Sequence, residues 1–72
     1  MIASGILKEY KNLDDDVRKI EFIGLENEAF RLDLFLNDVW VADCVIERSL
    51  LDWAIEQWLY YGCIHGNGYA LF

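Results

Sequence analysis

The chain has no proline, one histidine and two cysteines, and no lysine or arginine follows Arg48. Without proline, and without any repeat, low-complexity tract or linker, nothing divides the 72 residues, so one domain over 1–72 is expected. Cys44 and Cys63 are too few for a disulfide framework. No stretch approaches the roughly 18 uninterrupted apolar residues of a membrane span. Met1 to Tyr10 also lacks the basic start and long apolar run of a signal peptide, so the cytoplasm is the expected compartment. Gly66-Asn67-Gly68 is too short for a phosphate loop and lacks the following Lys-Ser/Thr, and no oxyanion-hole motif accompanies Cys63 and His65. No enzymatic activity is expected.

What the chain does have is acid and aromatic surface. Thirteen Asp and Glu stand against six Lys and Arg, a formal charge of −7, which works against direct binding to nucleic acid or anionic lipid and favours a basic partner. Three Trp, four Tyr and four Phe exceed what so small a globule can hide, so some aromatic surface should remain for a partner or a second copy.

Ile6, Leu7, Tyr10 and Leu13 recur at helical spacing with Ser4 placed to cap, which predicts an N-terminal helix ending at Asp14-Asp15-Asp16. Three β-prone runs follow, Val17 to Leu25, Ala29 to Leu36 and Trp40 to Ile46, joined by Glu26-Asn27-Glu28 and Asn37-Asp38-Val39. Three-residue loops put Ile20, Phe22, Phe30, Leu32, Leu34, Leu36, Trp40, Ala42, Cys44 and Ile46 on one face. A two-residue turn at Asn37-Asp38 would set Asp43 among leucines and is disfavoured, because an unpaired buried carboxylate is costly. Ser49 and Asp52 resemble a capping box opening a helix from about Leu50 to Tyr61, with Gly62 as its stop. Asn67-Gly68 then marks a C-terminal hairpin turn whose apolar end should dock. The expected fold class is therefore α+β: an N-terminal helix, a three-stranded antiparallel β-meander, a second helix packed on the sheet, and a short C-terminal hairpin or extended tail.

In this register Glu21, Asp33 and Asp43 are cross-strand neighbours on the other face. Like charges directly opposite destabilise a sheet by up to about 1 kcal/mol per pair. The row is either a surface presented to a basic partner or a solvated face partly neutralised by Lys19 and Arg31. Asp14, Asp15, Asp16, Glu26, Glu28 and Asp38 extend it through the loops. On the second helix Asp52 and Glu56 share a side with Trp53 and Tyr60. Those aromatics are either interface anchors or satellite core under the hairpin. Cys44, Cys63 and His65 offer three soft ligands, but a closed zinc site wants four with paired spacings, so no metal and no cofactor are expected, and Cys44 reads as a small hydrophobe.

The order helix, three-stranded meander, helix in a short acidic chain is similar to that of certain phage-encoded anti-CRISPR proteins, which present Asp and Glu to the DNA-binding groove of a CRISPR effector. The resemblance is one of organisation and covers the chain up to Tyr61. It implies an inhibitor of anti-CRISPR, anti-restriction or antitoxin-like type, acting by nucleic-acid mimicry in a host cytoplasm on a protein with a basic nucleic-acid-binding surface. Double-stranded-RNA-binding domains share the element order, but the charge has the wrong sign for them. The other expectation is a homodimeric or hetero-oligomeric module held by exposed aromatics.

Overall fold

The computed structural model describes residues 5–71. Ser4, expected to cap the first helix, and Phe72 lie outside them. Four strands, β1 (Ile6–Lys11), β2 (Val17–Gly24), β3 (Ala29–Leu36) and β4 (Val39–Glu47), form an antiparallel sheet in sequence order. A helical segment follows: a 3-10 turn (Arg48–Leu50), α1 (Leu51–Glu56) and a wider π turn (Gln57–Tyr61). The hairpin β5 (Ile64–Gly66) and β6 (Tyr69–Leu71) ends the described chain.

The molecule is thus mostly β, and the expected N-terminal helix is absent among the described residues. Residues 6–11 instead pair antiparallel with β2, from Ile6 opposite Phe22 to Lys11 opposite Val17. The helical spacing depended on Leu13, which lies in the turn beyond the strand and is wholly exposed. Asn12 makes that turn: its Oδ1 accepts from the backbone N–H groups of Asp14 and Asp16 at 2.9 and 3.0 Å, and Asp15 adopts a φ of 64°. The aspartate run therefore closes a hairpin, where the sequence reading had it terminating a helix.

β2 and β3 meet across the three-residue loop Glu26-Asn27-Glu28, with Leu25 N donating to Ala29 O at 2.8 Å. Between β3 and β4 the expected three-residue loop is replaced by the two-residue turn Asn37-Asp38, both at positive φ (50° and 66°), the geometry whose twist suits a hairpin. Leu36 faces Val39 and Phe35 faces Trp40, after which Val41 is left unpaired and Leu34 faces Ala42. This bulge absorbs one residue, so the short turn coexists with Asp33 opposite Asp43, and no carboxylate enters the core. Trp40 consequently projects from the outer face, where it is exposed, while Val41 and Ala42 pack on the core.

The core lies between the inner sheet face and the helical segment. Ile20, Leu32, Leu34 and Ile46 from the sheet meet Ala54, Ile55, Trp58 and Leu59, and Ile64 of the hairpin is also buried. Each large aliphatic side chain so buried stabilises the fold by roughly 1.5–3 kcal/mol. Ser49 does not form the expected capping box. The chain enters through the 3-10 turn, Leu50 occupies the cap position of α1 without a side-chain bond, and Ser49 Oγ donates to Glu47 Oε2 at 3.4 Å. At the other end Gly62 takes a left-handed φ of 72° and its N–H donates to Trp58 O at 3.0 Å. Arg18 Nη1 donates to Leu59 O at 3.3 Å, placing a cation where the last carbonyls of the helix point. The molecule is 17 Å across its thinnest direction, room for one sheet and one helical layer, and the described residues place no layer over the outer sheet face.

Candidate functional site

Alternation along the strands directs Leu7 and Glu9 of β1, Lys19, Glu21 and Ile23 of β2, Arg31, Asp33 and Phe35 of β3, and Trp40, Asp43 and Val45 of β4 to the outer face. Glu21, Asp33 and Asp43 are direct cross-strand neighbours, as the sequence register required, and Leu7 extends the row beside Glu21. The like charges are relieved from within. Arg31 Nη2 donates to Asp43 Oδ2 at 3.0 Å and to Asp33 Oδ1 at 3.4 Å, and Trp40 Nε1 donates to Asp33 Oδ1 at 3.2 Å. Asp33 is more shielded than Asp43, its side chain only 14% exposed against 47%. Glu21 makes no ion pair among the described residues.

A second charged group lies beside this row. Lys19 Nζ bonds Asp38 Oδ1 and approaches Glu9 Oε2 to 3.9 Å. The hydrogen bond to Asp38 is the main reason Lys19 holds its proton above the ordinary lysine range. At the same end of the sheet, Asn37 ties the two turns together. It accepts from Val17 N at 2.8 Å, donates through Nδ2 to Asp16 Oδ1 at 3.1 Å, and its own N–H donates to Val17 O at 2.7 Å. Asp16 is thereby tied to the Asn37-Asp38 turn, and Lys11 lies 3.3 Å from Asp15. Glu26 and Glu28 occupy the loop between β2 and β3, and Arg48 N donates to Glu28 O at 2.8 Å.

The helical candidates do not form one patch. Trp53 is half-buried and packs on the core, and its ring lies so close under Gly66 that a Cβ there would sit 3.3 Å from Cζ2. Tyr60 is exposed and meets Tyr10 edge to face, ring centroids 4.8 Å apart. Asp52, Glu56 and Tyr60 line a groove with Lys8 on the side of the slab away from the acid row.

Cys44 and Cys63 are free thiols, and among the described residues no group of three or more His, Cys, Asp or Glu side chains is placed to hold a metal ion. Burial, reinforced by Asp43 and Asp33, raises the Cys44 thiol above its usual pKa, which suits a packing role. Among the described residues no helix is long and apolar enough to cross a membrane.

Sequence reasoning missed Leu7 and Trp40 as outer-face residues, while its register for Asp43, Cys44 and Ile46 already turned Val45 outward. No apolar alternation marks β1, since each of its faces mixes apolar and charged residues, whereas Asn37-Asp38 as a two-residue turn would have turned Trp40 outward. No family model, no curated protein and no solved structure matches the chain.

Proposed function

We propose that the chain is a protein-binding inhibitor that lays its outer sheet face and acidic turns against a basic, nucleic-acid-binding surface of its target, in the manner of an anti-CRISPR, anti-restriction or antitoxin-like mimic. One observation carries this: every Asp and Glu except Asp52 and Glu56 lies on the outer sheet face or in the turns at its ends. The negative field therefore points mainly from one side of the slab, which speeds encounter with a basic surface and repels nucleic acid. Because the described residues begin with a strand in place of the N-terminal helix, the proposal rests on this placement of charge and not on element order.

A second reading, an interaction module held by exposed apolar groups, is favoured by Leu7, Trp40 and Val45, each more than half exposed on the same face. A second copy is a poor occupant, since face-to-face packing would bring two acid rows together. A basic partner with apolar contacts satisfies both features.

The test is capture of partners on the immobilised chain, with elution by increasing salt and, separately, by duplex DNA. The inhibitor reading expects a basic nucleic-acid-handling protein released by both, and not retained when Asp14, Asp15 and Asp16 are replaced by Asn. A partner indifferent to salt, to DNA and to those replacements would overturn it.

A further inference from the structure

The groove between β1 and the helical segment has a volume of about 270 Å³, enough for one long side chain. Ile55 and Leu59, both nearly buried, make its floor. Asp52 and Glu56 stand one helical turn apart along one wall, Tyr60 lines it further along with its ring braced by Tyr10, and Lys8 of β1 faces them. Among the described residues none of Asp52, Glu56 and Lys8 makes an ion pair. An apolar floor, two spaced carboxylates and an exposed tyrosine together suit one chemistry: an aliphatic stem ending in a planar, forked cation.

We propose that this groove is a receptor for an arginine side chain presented by another protein. The methylene stem lies on Ile55 and Leu59, the guanidinium bridges Asp52 and Glu56, and Tyr60 flanks it. Arginine suits the site better than lysine because its fork can reach two carboxylates at once. Lys8 carries the same charge as the ligand and acts as a resident competitor, lowering the affinity of the empty groove for cations. The site stands apart from the acid row, so its fate leaves the reading of the outer face untouched.

The test needs no partner protein. The labelled full chain is titrated with N-acetyl-arginine amide, and in parallel with N-acetyl-lysine amide and inorganic phosphate, while methyl and ring resonances are followed by NMR. Saturable shifts at Ile55, Leu59 and Tyr60 are expected, larger for arginine than for lysine and absent for phosphate. Asp52→Asn and Glu56→Gln should each weaken arginine binding about threefold, the scale of one exposed ion pair. Lys8→Ala should strengthen it about twofold, and Asp43→Asn on the opposite face should leave it unchanged. All these positions are exposed, and an unchanged amide spectrum confirms that each variant folds. Non-saturable shifts, shifts centred on the acid row, binding of phosphate at these residues, or weaker arginine binding by Lys8→Ala would each overturn the proposal.

Discussion

The indole Nε1 of Trp58 donates to the backbone carbonyl of Lys19 at 2.8 Å, tying the helical segment to the second strand across 39 residues of sequence. The side chain of Lys19 meanwhile reaches Asp38 on the outer face, so one residue holds the inner layer by its backbone and organises surface charge by its ammonium. Trp58→Phe keeps an aromatic ring but leaves that carbonyl without its indole donor and the pocket underfilled. The expected loss is about 2 kcal/mol, read as a lower urea midpoint at unchanged slope. Wild-type stability in the variant would show that the bond contributes nothing net.

Glycines 62 and 68 separate two effects of adding one methyl group. Both have positive φ, 72° and 87°, so alanine at either is strained by roughly 1 kcal/mol. At Gly68 the new Cβ meets nothing within 4 Å, whereas at Gly62 it would lie 2.8 Å from Arg18 Cζ and push the guanidinium off Leu59 O. Gly62→Ala should therefore be the more destabilising, by about a further 1 kcal/mol, in a side-by-side thermal unfolding comparison.

Arg31 is what lets Asp33 and Asp43 face one another. Arg31→Met should lower stability by about 1 kcal/mol, a figure held down by solvent screening because the Arg31 and Asp43 side chains are about half exposed. Adding Asp43→Asn should recover most of the loss, and high salt should shrink the difference. A double-mutant cycle with no coupling would remove Arg31 from the account of how the row is tolerated.

Two groups set the alkaline limit. Burial, then Asp43 and Asp33, raises the Cys44 thiol, and the bond to Asp38 raises Lys19, so the folded chain holds both protons more tightly than the unfolded one. Their stabilisation is complete below the unfolded pKa values and is lost as pH rises through the folded ones. Decline should begin above about pH 8.5, with the ordinary cysteine range, and continue beyond the lysine range. Urea midpoints measured upward from neutral pH check this, and Cys44→Ala should remove the earlier phase. Iodoacetamide should label Cys44 more slowly at about pH 8 in the folded chain than in urea.

What could be read in advance followed burial. The inward alternation Ile20-Phe22 and Leu32-Leu34 is strong enough to dictate pairing, and with it the opposition of Glu21, Asp33 and Asp43. The helix end at Gly62 and the Asn67-Gly68 turn were legible because each needs a backbone conformation that few residues accept. β1 was not legible. It is a border strand exposed along its whole length, so no burial pattern marks its period, and the turn residue Leu13 supplied a false helical one. The direction of Trp40 was hidden for another reason: a bulge changes which face a side chain takes without changing composition. The groove of Lys8, Asp52, Glu56 and Tyr60 needed β1 in place, since Lys8, which faces the helical carboxylates, comes from the misread segment.

Val41, the residue of β4 that pairs with nothing on β3, bears on how molecules of this protein meet one another. β4 is an outermost strand with Val39, Trp40 and Val45 exposed and no lysine along it, whereas the opposite border strand carries Lys8 and Lys11. A straight strand of that composition is a template on which a foreign backbone can zip, the first step toward fibres. The kink at Val41 interrupts the free amides and carbonyls partway along. Deleting this residue would leave Leu34 facing Ala42 and every other pair intact, and would straighten the border, so the guard against fibrous growth resides in a residue the strand pairing does not need.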